Sequence, residues 1–334
     1  MSTSPMQAEV LVSGAGPVGL FFAYQMAEYG HSVIIIDKKS GPTAESRAFF
    51  VTSRTLELLD HHGLAQQLLK EANIMRGTQL FVEGSLAGRA TPDDTIETLF
   101  PQITIVPQSK TETAFVNALA NTNTDILWNT ELISYQQNEE GVVATVLSKD
   151  RQEKKIEAKY IIGADGCHSV VRKRGKGWTY EGVVIENKFA LADVTLSGSG
   201  VDMLANHVNG FFHPDGLTLV VPIPNPEDKA LFRVIGSMGQ PSTTTHTDSS
   251  VTHGIASQAQ SNTLIELETI QKIIDERMKP LQITAADPIW MTYFRVNERK
   301  ANGFRRTRAF VMGDAAHCHS PAGGQGMNLG LQDG

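Results

Sequence analysis

Residues 8–38, AEVLVSGAGPVGLFFAYQMAEYGHSVIIIDK, constrain the fold more than any other stretch. Val10 to Val12 is a short apolar strand, glycines stand at 14, 16 and 19, Leu20 to Tyr29 is an amphipathic helix ended by Gly30, and Val33 to Ile36 is a second apolar strand. Strand, glycine turn, helix and strand make a βαβ unit. Gly14 allows the tight turn, Gly16 lets the backbone approach a pyrophosphate, and Gly19 lets the helix pack on the strand. The helix start adds amide donors and partial positive charge. Asp37 closes the second strand, where a carboxylate can accept the hydrogen bonds of an adenosine ribose. The unit therefore predicts a site for the ADP half of a dinucleotide, which FAD and NAD share.

With 334 residues the chain exceeds the roughly 100 to 200 of one ordinary domain, and two intertwined lobes are expected. Leu56, Leu59, Leu64, Leu68 and Leu69 recur at helical spacings around a break at Gly63. Short strands follow between Gly77 and Val106, then a helix over Thr111–Ala120 and a strand over Ala158–Ile162. From Glu181 to Val234 the runs read as an antiparallel sheet. Residues 236–262, rich in Ser, Thr and Gly, read as a mobile surface loop before the amphipathic helix of TLIELETIQKIIDERM. RAFVMGDAAH repeats the strand-to-turn pattern, so glycine turns follow Ser13, Ile162 and Met312. Open α/β sheets bind ligands at such strand ends.

The formal charge of −7 argues against nucleic acid as a partner and for a soluble protein. Two cysteines, Cys167 and Cys318, cannot frame a fold with disulfides and read as unpaired small apolar residues of a reducing compartment. The start MSTSPMQAEVLVSGAG lacks a basic region followed by an apolar one, and no apolar run reaches the roughly 18 residues of a membrane span. A cytoplasmic protein, assembled as a homodimer if at all, is the expectation. His317, Cys318 and His319 are too close in sequence to converge on one tetrahedral ion, so no metal is expected.

Beyond the first turn, ESRAFF supplies Arg47, VPQSKTE supplies Gln108, GADGCHSVVR supplies Asp165, Gly166 and Arg172, and GDAAH supplies Asp314. Together these resemble the class A flavoprotein monooxygenases, the aromatic hydroxylases typified by p-hydroxybenzoate hydroxylase and phenol hydroxylase. The resemblance implies an α/β fold in which a Rossmann-like FAD-binding domain (6–75, 107–180 and 296–334) is interleaved with a smaller β-sheet substrate domain (76–106 and 181–295). It implies that Gly14, Gly16, Gly19, Asp37, Arg47 and Gln108 contact FAD, that Asp314 holds the ribityl chain, and that Asp165 and Gly166 serve FAD and NAD(P)H. The closing GDAAHCHSPAGGQGMNLGLQDG is similar to the phenol hydroxylase branch. There Pro321 would border the flavin ring, and Gly324, Gly326, Met327 and Asn328 would lead into a helix whose first amides face the flavin N1 and O2 edge. Reduction leaves negative charge on that edge, which helix-start amides stabilise without a bulky side chain. No second glycine fingerprint exists, in keeping with NAD(P)H as a transient co-substrate.

The implied activity is hydroxylation of an aromatic or polycyclic small molecule with NAD(P)H and O2, through a flavin C4a-hydroperoxide. Phenol hydroxylase activates its substrate with an Asp, an Arg and a Tyr, and here the sequence departs. Setting Arg54 on the family's RTLE segment puts Phe49 at the Asp, and VPIPNPEDKALFRVIG puts Ile235 at the Tyr with no Arg at the expected place. IWMTYFRVNER offers Trp290 and Phe294. An apolar lining of Phe49, Trp290 and Phe294 implies a larger or less acidic substrate than phenol, although the three read equally well as core residues. No base is assigned, His207, His213 and Tyr293 being the nearest polar candidates. Competing readings are a related flavoenzyme doing epoxidation or Baeyer–Villiger oxidation, and halogenation, weakened by the lack of a Trp-x-Trp-x-Ile-Pro stretch. An NAD-only oxidoreductase is disfavoured by the Asp165 and Asp314 motifs. Where family members run on past Asp333 in a long helix, this sequence has Gly334, so the last helix is expected to be about two turns and marginal alone. A shortened, non-catalytic chain that binds FAD weakly or not at all is the remaining alternative.

Overall fold

The structure is a computed structural model that describes residues 5–43, 48–93, 95–225, 230–239, 243–244, 254–255, 265–320 and 322–334. Its first unit is β1 (Met6–Ser13), α1 (Pro17–Glu28) and β2 (Val33–Ile36), with Val10 beside Val33 and Ser13 beside Ile36 in parallel register. α1 begins three residues before the Leu20 expected from the apolar pattern. Pro17 is the reason, since proline at the first helical position lacks only an N–H that would have no helical acceptor.

On its other side β1 pairs in parallel with Glu153–Gly163, and that strand pairs in parallel with Ala309–Val311. Ser13, Gly163 and Val311 lie across from one another, so the three glycine turns leave the same edge of one sheet. This sheet has eight strands, with Thr124–Leu127 beyond β2 and the hairpin Glu131–Gln137/Val142–Leu147 on Glu153–Gly163. α1 covers it together with the helix Gln108–Leu119, Phe21 meeting Phe115 at 5.4 Å between ring centroids.

The second sheet has ten strands. Its spine is a pair of 20-residue antiparallel strands, Tyr180–Ser199 and Gln282–Ala301. At one end Cys318 and His317 pair with Arg299 and Lys300, which fastens the third glycine turn to this sheet. Leu231–Met238, Gly216–Pro222, His207–His213, Gly77–Val82 and Ser85–Ala90 extend it in that order, and the two-residue strands Thr243–Thr244 and Gly254–Ile255 pair with the spine strands. The last strand of the expected excursion, Ile103–Ile105, instead pairs with Phe50–Val51 and Asn73–Met75 in a small sheet of its own.

Alternation along the long strands divides the second sheet into two faces. Ala190, Ala192, Val194, Phe232 and Val234 pack under the helix Leu267–Arg277 through Ile270, Ile273 and Ile274. The other face carries Leu191, Ile235, Trp290 and Phe294. Ile235 also packs with Phe49 and Ile105, so this second face meets the small sheet. Most of 236–262, expected as a mobile loop, lies outside the described residues. Among those described, no helix is long and apolar enough to cross a membrane.

Candidate functional site

Geometry separates the three glycines of the first turn. A Cβ on Gly14 would lie 2.3 Å from the Ala164 carbonyl oxygen, and one on Gly19 would lie 2.0 Å from that of Gly14. Both are glycine because the protein's own backbone fills the place of a side chain. A Cβ on Gly16 would meet nothing within 4 Å. The open space beside Gly16 is at the start of α1, which no side chain caps, so its first N–H groups remain available to an anion. Asp37 stands at the same place, its Oδ2 accepting from the Ala15 N–H at 2.7 Å and its Oδ1 from the Lys39 N–H at 2.8 Å.

Gln108 opens its helix with Oε1 accepting from the Ala48 N–H at 3.1 Å and Nε2 donating to Glu112 at 2.8 Å. Glu112 is fully buried and also accepts from the Thr43 N–H at 2.6 Å and from Lys39 Nζ at 3.3 Å. Glu112 and Lys39 thus hold Thr43, and Gln108 holds Ala48, on the two sides of the segment that carries Arg47, which itself lies outside the described residues. Sequence reading missed Glu112. Its signal was the Gln-x-x-x-Glu spacing, which places both side chains on one helix face.

At the second turn Asp165 is half-buried, and the shielding of its carboxyl from water raises it above the ordinary aspartate range. Oδ2 accepts from the Val170 N–H at 2.7 Å, while Oδ1 has no partner among the described residues. Gly166, at φ +78°, borders open space. Arg172 donates to the carbonyls of Cys167 and Ala315, tying the second turn to the third, and its guanidinium lies 3.6 Å from the centroid of the Tyr180 ring. The Tyr180 hydroxyl donates to the Asp314 carbonyl at 2.9 Å. Tyr180 is a second residue that sequence reading missed. Its own pKa is pushed up by burial, so it stays a phenol.

The Asp314 carboxylate is exposed although both its neighbours are buried. The terminal helix Gln325–Asp333 starts from Gly324 at φ +64°, a left-handed cap. Gly324, Gln325, Gly326 and Met327 therefore carry the N–H groups without helical acceptors, and Gly326 faces open space. Asn328 differs from the sequence expectation in kind. Its backbone N–H falls inside the helical ladder, and its buried side chain accepts from the Thr52 N–H at 3.0 Å and donates to Phe50 at 3.0 Å and Gly324 at 2.7 Å. It ties the helix start to residues 50–52. Pro321 lies outside the described residues. At the other end of the helix Asp333 accepts from the Gly313 N–H at 2.7 Å and pairs with His317 at 2.8 Å, which raises the imidazole pKa. His317 and His319 shape this turn, and no group of metal-ligating side chains occurs among the described residues. Cys318 is buried, with its thiol pushed up to about 11 chiefly by burial.

An FAD molecule fits these residues on three counts: open space at Gly16, uncapped helix starts at α1 and at Gln325, and an exposed carboxylate at Asp314. Gly14 and Gly19 shape the cradle from behind.

The sheet wall adds a residue that sequence reading did not use. Arg233 stands in VPIPNPEDKALFRVIG, two residues before Ile235 and on the same strand face. It is fully buried, and its Nε and Nη2 donate at 2.7 Å each to the two oxygens of Asp193. Arg233 lies 4.9 Å from the centroid of Phe49 and 5.5 Å from that of Trp290, while Phe294 stacks on Phe189 at 5.1 Å. Phe49 and Trp290 thus flank one guanidinium, and Phe294 clusters with Trp290 and Leu191 on the same face of the sheet. Tyr293 packs on the opposite face, with the residues under the helix Leu267–Arg277 and under Lys188, and His213 pairs with Asp215 at 3.3 Å. His207 opens its strand beside Gly77, and burial there lowers its pKa.

The FAD binding domain family matches residues 7–334. The chain is 31% identical over 333 residues to the 6-methylpretetramide 4-monooxygenase of Streptomyces rimosus, covering 97% of this chain and 54% of the relative. It is 29% identical to the pentachlorophenol 4-monooxygenase of Sphingobium chlorophenolicum, covering 100% of this chain and 59% of the relative. Among solved structures, the p-nitrophenol 4-monooxygenase PnpA from Pseudomonas putida DLL-E4 shares the fold at TM-score 0.79 and 24% identity, over 98% of this chain and 78% of that one. Aklavinone-11 hydroxylase, solved with FAD and aklavinone, shares it at TM-score 0.77 and 22% identity, over 99% and 61%. The chain spans little more than half the length of the two curated relatives, 54% and 59%. By the match over 7–334 and the three turns that converge on one sheet edge, the chain belongs to the FAD binding domain family of the class A flavoprotein monooxygenases.

Proposed function

We propose that this chain forms the FAD-binding and substrate-facing part of a monooxygenase that uses NAD(P)H and O2 to hydroxylate an aromatic or polycyclic small molecule. One observation carries the reading: the cofactor cradle and the aromatic wall share a boundary. A Cβ on Gly324 would lie 2.7 Å from the Phe50 ring, Phe50 packs on Phe49 at 4.5 Å, and Phe49 lies 4.9 Å from Arg233. A ring held at that wall sits next to the amides of the terminal helix.

In this reading FAD supplies the redox chemistry and the protein supplies position and shielding. Gly16, Asp37 and the start of α1 hold the ADP half, and Asp314 holds the ribityl chain. The N–H groups of Gly324 to Met327 stabilise negative charge on the flavin edge. Phe49, Trp290 and Phe294 exclude water and hold a flat ring, favouring a substrate larger than phenol. The FAD domain comprises 6–75, 107–180 and 296–334, and the substrate domain 76–106 and 181–295.

The test is a coupled one. NADPH or NADH oxidation should rise when hydroxyaryl or polycyclic compounds are added, and oxygen from labelled O2 should enter the product. Flavin reduction with no label in any product across such a panel would contradict hydroxylation.

A further inference from the structure

Ala15, inside the first glycine turn, is held at both of its backbone polar groups by residues just past the end of β2. Its N–H donates to Asp37 Oδ2 at 2.7 Å, and the other oxygen of that carboxylate takes the Lys39 N–H at 2.8 Å. The Lys39 side chain then turns back and donates to the Ala15 carbonyl at 3.3 Å. Ala15 is fully buried, so water does not compete for either group.

A trans peptide points its C=O and its N–H in opposite directions. The Ala15 carbonyl and the Gly16 N–H belong to one such peptide, so a bond that holds the carbonyl toward Lys39 aims the N–H away from it. That N–H has no acceptor among the described residues, and Gly16 borders open space. Lys39 has no donor left for a ligand. Its three ammonium hydrogens meet three acceptors, the Ala15 carbonyl, Thr43 Oγ1 at 2.9 Å and Glu112 Oε2 at 3.3 Å. Glu112 is fully buried, which keeps the ammonium on the protein side of the turn.

We propose that Lys39, seated on Glu112, is a positioning residue for the diphosphate of the cofactor: by holding the Ala15 carbonyl it aims the Gly16 N–H at a phosphate oxygen. It acts through the peptide and makes no contact with the phosphate. The inference rests on the proposed place of the ADP half at Gly16 and Asp37, and adds what orients the donor there. A donor already aimed loses no freedom when its ligand arrives.

The probes are ADP and adenosine, which share the nucleoside and differ in the diphosphate, titrated into the flavin-free chain. Glycine amides are followed by nitrogen labelling of glycine alone, and Gly16 is assigned by the signal missing from Gly16→Ala. Wild type should bind ADP at least about tenfold more tightly than adenosine, the scale of one hydrogen bond to a charged group. Its Gly16 amide should move downfield with ADP and stay with adenosine. Lys39→Met should cut the preference at least about fivefold and leave adenosine binding within about twofold. At ADP saturation its Gly16 amide should no longer move.

A variant whose Gly16 amide still moves, or whose preference stands, overturns the proposal. An equal loss of both ligands does so too, since it marks a damaged scaffold. Should Lys39→Met fail to fold with the Glu112 carboxylate left buried and alone, Lys39→Met/Glu112→Gln removes that charge and is read by the same outcomes. The wild type separates this inference from its parent. ADP binding without movement of Gly16 overturns the inference, whereas no ADP binding at all contradicts the proposed ADP site and the inference with it.

Discussion

The turn over 14–19 and the wall around Arg233 are built from different parts of the chain. In the turn the open surface is backbone: Gly16 leaves open space, and Gly14 and Gly19 are glycine because neighbouring carbonyls lie within 2.3 and 2.0 Å of a would-be Cβ. In the wall the surface is side chain, with a buried ion pair set among aromatic rings. Substitution in the turn therefore separates folding from binding residue by residue. Substitution in the wall cannot, because an ion pair out of water needs both partners.

The largest effect should come from breaking that pair. Arg233→Met leaves the Asp193 carboxylate, itself 7% exposed, buried without its cation, and unfolding in urea should show a loss of about 3–5 kcal/mol. Pairing it with Asp193→Leu should restore most of the loss, since the penalty belongs to the unpaired charge. A double variant as unstable as the single one would show that the wall depends on shape rather than charge.

Next comes Gly19→Ala, whose Cβ would collide with the Gly14 carbonyl at 2.0 Å and should cost about 3 kcal/mol of stability. Gly16→Ala, with nothing within 4 Å, should keep stability within about 0.5 kcal/mol and instead weaken FAD binding. Equal stability losses at the two glycines would erase the distinction between scaffold and cradle.

Asp314→Ala should follow, weakening FAD by about 1.5–3 kcal/mol in a flavin titration, the scale of a hydrogen bond to a charged group, with the melting point unchanged because the carboxylate is exposed. His319→Ala should affect FAD far less. The smallest effect is one of pH. The Asp333 carboxylate raises the His317 pKa, so their contact is fully stabilising below the unfolded imidazole value near 6.5 and is lost as pH rises through the higher folded value. Stability in urea should fall over that window in wild type and not in His317→Gln.

The same contrast explains what the amino-acid order disclosed. The βαβ unit, the three strand-to-turn elements and the α/β class were legible because each rests on local rules: apolar runs of strand length, glycines at fixed offsets, a carboxylate at the next strand end. Asp193 and Arg233 were not, since they meet across strands 40 residues apart in register. The register between Tyr180–Ser199 and Gln282–Ala301 also shifts just after Asp193, at a point that alternation does not mark. Asn328 was legible as part of the flavin wall but not in its manner, because its partners Phe50 and Thr52 lie more than 270 residues away. Tyr180 and Glu112 likewise act through tertiary contacts, one on Arg172 and Asp314, the other on Lys39 and Thr43.

The central claim is that the three turns converge into a cradle for FAD. Titrating FAD into the purified chain and reading the visible flavin spectrum tests it most directly. One FAD per chain, with a flavin band altered from that of the free cofactor and lost in the Asp314→Ala variant at the same concentration, is the expected result. A folded chain that takes up no flavin would contradict the account.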